Sequence, residues 1–381
     1  MLIANFVWFA FSDATATQAQ TGPMLGDPLN QAVLAFVDIF VTDKANTLFA
    51  LLFGFGFWVQ MERLETRGAP FARIYLRRLA VLLAMGLINI CFIWPWDILN
   101  LYALAGFALF ALRGLSPRAM LWLGVPLALL GRPLVDAASE ALGIAGPAGE
   151  MIYSESAVLA RQWAYTQGSY LDWLGATADL NYYDWLASGA IIGWLLYALG
   201  RFLVGAWVAR AGWLQRAGEL LPQMCRICLV ALPLGLALET LALAIGDAGL
   251  IDAPGWVSTA LHAVAVPVLD LGYATGMVLL FHSRWRVLAF AFAPVGRMAL
   301  TNYLAQGVFI GALLYGFNGG LALAGTIEPK QVLPACLAFF AAQMLLSHWW
   351  LARYRFGPLE WLWRALTYGT RPPMRPAGRV A

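Results

Sequence analysis

Gly296-Arg-Met-Ala-Leu-Thr-Asn-Tyr-Leu-Ala-Gln306 runs straight into the apolar segment Gly307 to Phe317. A basic edge followed by about twenty uncharged residues is the pattern of a helix entering hydrocarbon. Arg297 and Thr301 stand four apart, as do Asn302 and Gln306, so each pair shares one helical face. At ~1.5 Å per residue, Asn302 falls roughly 7 Å and Gln306 roughly 13 Å inside the apolar layer. A carboxamide in hydrocarbon is costly without a partner. This face is therefore expected to look into a bundle, at another helix or at a ligand.

Similar apolar stretches recur from end to end. Of 381 residues, 61% are hydrophobic and 12% charged, against about 25% charged in soluble domains. The pattern predicts an all-α, polytopic transmembrane bundle of about ten spans. These fall at 44–60, 77–94, 97–112, 119–135, 185–206, 227–246, 257–281, 298–317 and 332–351, preceded by a partial one at 1–11 whose beginning is expected to lie upstream. The net charge of +3 is too small to point to nucleic acid.

The arginines set the topology. Alternate loops hold Arg63 to Arg78, Arg113 and Arg118, Arg210 to Arg226, Arg284 to Arg297 and the tail from Arg353 to Arg379. With Arg201, placed at the end of its span, these make twenty of the 24 Lys and Arg residues. Lys44, Arg132, Arg161 and Lys330 fall on the other side. The bias predicts that the first set of loops and the C-terminus lie in the cytoplasm. Residues 1–351 form the bundle, with an outer region at 136–184. Met151 to Gln167 and Tyr170 to Leu180 in that region read as amphipathic helices, most simply a solvated cap. Residues 352–381 read as an interfacial helix near Pro358 followed, beyond Thr370, by a disordered Pro- and Arg-rich tail drawn to anionic lipid.

Ionisable residues inside the spans are few. Asp270, in Pro267-Val-Leu-Asp-Leu-Gly-Tyr273, and Glu239 divide evenly between a functional role and a helix–helix hydrogen bond. His262 reads as structural, and Lys44 as a snorkelling side chain near the outer edge. Asn302 and Gln306 are candidates for substrate contact, with Thr301 and Arg297 beside them, although amides also knit helices together. Cys225-Arg-Ile-Cys228 lacks a second Cys/His pair and reads as ordinary helix-end cysteines. No catalytic phrase, phosphate loop or metal cluster is evident, so no cofactor and no metal are implied. Gly189/Gly193, Gly272/Gly276 and Gly307/Gly311 have the spacing of close helix contacts. They imply tight packing and leave a homo-oligomer open.

Three phrases then coincide in order: Thr47-Leu-Phe-Ala-Leu-Leu-Phe-Gly-Phe-Gly-Phe57, the Gly296 to Gln306 stretch, and Phe356-Gly-Pro-Leu-Glu-Trp-Leu-Trp-Arg364. With Asp97-Ile-Leu-Asn-Leu-Tyr102, they resemble the bacterial YeiB-like membrane proteins, the domain-of-unknown-function family numbered 418. The resemblance covers nearly the whole chain and implies a transport-associated inner-membrane protein. It extends distantly to membrane acyltransferases that move acetyl groups to sugars. The chain departs from the family in lacking an opening Asp-x-x-Arg-Gly phrase. Asn5 stands at the position matched to the working His of the acyltransferases.

Together these readings lead to transport, or assistance to transport, of a small or amphipathic solute through a polar intramembrane cavity. The alternatives are a membrane-bound acyltransferase with its acyl donor near Arg284, Arg286 and Arg297, and a non-catalytic lipid-binding scaffold. Membrane lipid is the one partner implied, and the substrate's identity stays open.

Overall fold

The computed structural model describes residues 1–11, 15–246 and 248–375. Every regular element among them is helical, as hydrocarbon requires when backbone groups must be satisfied within one segment. The chain opens with α1 (Leu2–Phe11), α2 (Gln18–Leu25), α3 (Pro28–Phe40) and α4 (Lys44–Glu65). The helices α5 (Phe71–Phe92), α6 (Ile98–Ala111) and α7 (Pro117–Ala141) follow. Three short helices, α8 (Ala145–Tyr153), α9 (Glu155–Thr166) and α10 (Tyr170–Asn181), lead through a π-helical turn at Tyr182–Ala187 into α11 (Ala190–Arg210). Two long helices, α12 (Leu221–Ile245) and α13 (Gly255–Phe281), precede α14 (Arg286–Arg297) and α15 (Ala299–Leu314). Last come α16 (Pro329–Leu351) and α17 (Pro358–Tyr368).

The expected ten spans become six to eight. Six helices (α5, α7, α11, α12, α13 and α16) are long and apolar enough to cross a membrane. Two bent pairs bring the number to eight: α2 with α3–α4 at 99°, and α14 with α15 at 76°. Helix α1 has 10 residues and α6 has 14, or about 15 and 21 Å, short of the roughly 30 Å hydrocarbon layer. The stretch that opened the sequence reading is itself broken. Met298 leaves helical geometry at φ −112°, ψ 31°, so Arg297 ends α14 and the inward helix starts at Ala299.

Tight backbone approaches hold the bundle together. A Cβ on Gly205 would lie 2.0 Å from the Leu51 carbonyl oxygen, and one on Gly54 equally close to that of Phe202. One on Gly200 would stand 2.3 Å from the Ala128 nitrogen. Glycine thus lets α11 touch α4 on one side and α7 on the other. The spaced pairs noted in the sequence also meet neighbours in this chain: Gly193 faces Arg132, Gly272 faces Leu232 and Gly307 faces Trp94. The closest approaches, however, lie outside those pairs.

Two regions differ from expectation. The segment after α7 is amphipathic and packs more deeply than a solvated cap: Ile152, Tyr165, Trp173 and Leu180 are buried with Phe6, Phe9, Trp94 and Tyr315, while Leu159, Trp163 and Leu171 are exposed. Its α10 is started by a capping box, in which Ser169 donates to Asp172 from both its backbone and its hydroxyl at 2.7 Å. Those two donors hold the Asp172 carboxyl below its ordinary range. The tail beyond Thr370 also folds back, with Arg355 N donating to the Met374 carbonyl at 2.9 Å and Trp361 Nε1 to that of Pro372 at 2.8 Å. Arg379 and the remainder of the expected basic tail lie outside the described residues.

Replacing Gly205 by valine should cost about 1–3 kcal/mol, because the neighbouring backbone cannot yield as a side chain would. Thermal unfolding of the purified protein in detergent checks this. A melting temperature equal to wild type would show that α4 and α11 do not need this contact.

Candidate functional site

The polar groups named from the sequence separate into two sites and one clamp. On α15, Asn302 Nδ2 donates to Ser347 Oγ at 3.1 Å and to the Val295 carbonyl at 3.2 Å. Gln343 Nε2 donates to the Asn302 carbonyl at 2.9 Å, and Gln306 Nε2 to Gln343 Oε1 at 3.1 Å. These bonds form a ladder between α15 and α16. The same face borders a cavity of about 410 Å³ that has Asn302, Tyr303 and Gln306 in its wall. The rest of its lining is mostly apolar, including Leu2 and Ile3 from α1, Val41 and Phe49 from the α3–α4 segment, and Leu337 and Phe340 from α16. Gln306 Oε1 is buried without a hydrogen-bond partner.

Tyr303 is held in place from behind. Its hydroxyl donates to Asp97 Oδ1 at 2.9 Å, and Asn89 Nδ2 donates to the same oxygen at the same distance. Asp97 also caps α6 by accepting from Leu99 N at 3.1 Å. Tyr102, at the other end of the Asp97 phrase, donates to the Asn46 carbonyl at 2.8 Å. That phrase therefore ties α6 to α4, α5 and α15. In the sequence Asp97 stands out only as the start of the Asp97-Ile-Leu-Asn-Leu-Tyr102 phrase.

Thr301 and Arg297 lie apart from the cavity wall. Thr301 donates from its backbone nitrogen to Glu360 Oε1 at 2.9 Å and from its hydroxyl to Oε2 at 2.6 Å, and its hydroxyl accepts from Leu359 N at 3.1 Å. Glu360 of α17 thus satisfies the otherwise open start of α15 with a charge of the favourable sign. Gly357 leaves room for this carboxylate, since a Cβ there would lie 2.0 Å from Glu360 Oε2. Arg297 is exposed and donates to the Arg355 carbonyl at 3.2 Å. Arg284 and Arg286 are likewise exposed, and none of these three arginines lines the 410 Å³ cavity.

Asp270 and Glu239 belong to a second site between α4, α11, α12 and α13. The Lys44 ammonium pairs with Glu239 Oε1 and donates to the Asp38 carbonyl at 2.6 Å. Lys44 and Glu239 are only 1% and 3% exposed. The break between α3 and α4 makes this arrangement: Asp43 takes a left-handed conformation at φ 60°, which aspartate tolerates better than most residues. His262 then bridges two carboxylates, with Nδ1 2.9 Å from Glu239 Oε1 and Nε2 3.2 Å from Asp43 Oδ2.

Arg201 completes the site. Its Nε donates to Thr47 Oγ1 at 2.9 Å and its Nη1 to the Ala128 carbonyl at 2.8 Å, while its guanidinium stacks 3.1 Å from the centre of the Tyr197 ring. Asp270, 1% exposed, faces Arg201, Lys44 and the Thr47 hydroxyl, yet neither of its oxygens completes a well-formed hydrogen bond. Lys44 is therefore an internal partner rather than a snorkelling side chain. Arg201 lies inside α11, not at its end, so it drops out of the topological tally. Both carried a sequence signal: Lys44 follows an acid at the start of an apolar run, and Arg201 interrupts Leu-Leu-Tyr-Ala-Leu-Gly-Arg-Phe-Leu-Val-Gly.

A helical chain with six to eight apolar spans and charges sequestered between them is a multi-pass membrane protein. Residues 208–370 match the family described as "Protein of unknown function (DUF418)". The chain is 30% identical over 402 residues to uncharacterized protein YxaH of Bacillus subtilis, covering 100% of this chain and 94% of that protein. It is 32% identical over 355 residues to uncharacterized protein YeiB of Escherichia coli, covering 89% of this chain and 85% of the relative. An uncharacterized 39.9 kDa protein from the amylase 3′ region of Bacillus acidopullulyticus is 28% identical over 348 residues, covering 89% and 84%. The chain belongs to the YeiB-like DUF418 family. No solved structure matches it.

Lys44→Met strands Glu239 in the interior and should cost about 3–5 kcal/mol, most of which Glu239→Gln should restore in the double variant. Unfolding of the four proteins of that cycle in detergent measures the coupling. Additive effects would mean that the pair is energetically idle.

Proposed function

We propose that this chain transports, or assists the transport of, a small or amphipathic solute in a bacterial inner membrane, with its arginine-rich end and C-terminus in the cytoplasm. The observation that carries this reading is the 410 Å³ cavity. Its size lies within the roughly 300–1,000 Å³ of small-molecule sites, which are mostly apolar with a few placed polar groups. An amphipathic solute would lay its apolar part along Phe49, Leu337 and Phe340 and present its head to Tyr303 and Gln306. The open acceptor on Gln306 favours a head that donates an N–H or O–H. The Tyr303 hydroxyl and the Asn302 and Gln306 side-chain nitrogens are already held by Asp97, Ser347 and Gln343, so these groups are oriented before a ligand arrives, which lowers the cost of binding.

Flux into proteoliposomes of labelled medium-chain amphiphiles bearing acid, amine or sugar heads tests the reading. Ala299→Phe fills the cavity from one wall and should reduce uptake by about tenfold or more, corresponding to ~1.4 kcal/mol of lost binding, without lowering the melting temperature. Uptake equal to that of empty vesicles for every head group, or indifference to Ala299→Phe, would count against it.

Orientation has its own check, in a chain whose four cysteines are replaced by serine. An impermeant maleimide should label Gly146→Cys in intact spheroplasts and Arg371→Cys only after lysis. The opposite pattern would invert the topology.

A further inference from the structure

We infer that the cluster around Asp270 is a proton-binding site, reached through His262 and linked to the neighbouring cavity by the broken α3–α4 segment. The link to solute movement rests on the transport reading; the proton site stands independently of it.

The first argument is charge balance. Asp270 faces Lys44 and Thr47 of α4 and Arg201 of α11, with Asp43 at the α3–α4 break near the same groups. Glu239 reaches in from α12, and His262 lies two turns before Asp270 on α13. Among the described residues, other titratable groups nearby include the hydroxyls of Tyr102, Tyr197 and Tyr273, Asp38, whose side chain accepts from Thr42 Oγ1 at 3.1 Å, and Arg132, which is partly exposed and paired with Asp136 at 3.7 Å. Three carboxylates (Asp43, Glu239 and Asp270) thus share the two sequestered cations Lys44 and Arg201. With neutral imidazole the cluster carries one excess negative charge, which a low-dielectric interior strongly disfavours. One proton restores neutrality, and His262 and Asp270 are the places for it.

The second argument is incomplete satisfaction. A purely structural ion network uses its lone pairs, because an unpaired buried acceptor is costly. Here Glu239 Oε2 and both Asp270 oxygens are buried without partners. Protonation gives Asp270 a hydroxyl and halves its demand for donors. A metal ion fits less well: Lys44 occupies the position beside Glu239 that a cation would take, and no group of three or more His, Cys, Asp or Glu among the described residues is arranged to hold one.

The third argument is access and linkage. His262 is about one-third exposed while Asp270 is sealed, so a proton from hydronium at the end opposite the arginines meets the imidazole first. Uptake converts hydronium to water and the Asp270 carboxylate to carboxylic acid, and no other bond changes. The α3–α4 segment carries Asp43, Lys44 and Thr47 on the charged side and Val41 and Phe49 on the cavity side. Neutralising Asp270 loosens its hold on Lys44, and any shift at the break moves the cavity wall.

Infrared difference spectroscopy of the full chain in nanodiscs, titrated between pH about 5 and 8, tests the proton site without requiring a known solute. A carbonyl stretch from a buried protonated acid should grow as pH falls and should disappear in Asp270→Asn. His262→Gln should slow deuterium exchange of that acid on the order of a hundredfold, the contribution of a positioned acid–base group. Asp270→Glu should keep the band and shift its position, which decides the question if the asparagine variant fails to fold. A band that survives Asp270→Asn, the absence of any acid band over this range, or exchange unaffected by His262→Gln would overturn the inference. A proton site without solute flux would instead remove the transport reading and leave the site standing.

Discussion

Lys44 and Glu239 pair where water cannot reach either one, and much of the bundle is arranged around that fact. Neither ion is tolerable alone in hydrocarbon, and together they persist only if each finds further partners. Lys44 obtains the Asp38 carbonyl, which the break between α3 and α4 makes available. Glu239 obtains His262, which in turn reaches Asp43 at the same break. A local irregularity of the backbone and a pair of charges thus require each other, and both fix how α4 meets α12 and α13.

Apolar attraction between helices is weak when the solvent is itself apolar, so contact must come from close packing and polar bonds. The glycine seam supplies the first. Gly54 and Gly205 bring α4 against α11, and Gly200 brings α11 against α7. Only at that separation can Arg201 donate to Thr47 on one helix and to the Ala128 carbonyl on another. The guanidinium is therefore satisfied mainly by neutral acceptors. Its charge remains available to Asp270 across a gap rather than being spent in a salt bridge. Tight packing here is what makes an unusual electrostatic arrangement affordable.

The fold class and most helix positions were legible because long apolar runs punctuated by arginine leave few alternatives. The span count was less legible. Length and hydropathy do not reveal that α14 turns 76° into α15, a bend stabilised by Glu360, a residue some sixty positions away. The site was legible in its members and illegible in its grouping. Asn302, Gln306, Asp270 and Glu239 were all visible as costly polar residues, but helical periodicity places residues only on their own helix. That Gln306 meets Gln343, and Glu239 meets Lys44, depends on which helices become neighbours. Lys44 itself was misread because a lysine at a span end usually reaches water; here the chain folds back over it through α3.

The amides of α15 show why the alternatives posed by sequence, helix glue or ligand contact, need not exclude each other. A carboxamide has one donor group and one acceptor, and at Gln306 only the donor is committed, to Gln343. The acceptor is buried and open beside the cavity. Asn302 likewise spends its nitrogen on Ser347 and Val295. Bonding the nitrogens to the protein fixes the orientation of each amide and leaves the Gln306 oxygen as a preset acceptor. On the far side of α4, the charged cluster leaves acceptors unfilled in the same way. Each site leaves a buried acceptor open, and the segment between them, Val41 to Phe49, is one of the places where the chain's helix is broken.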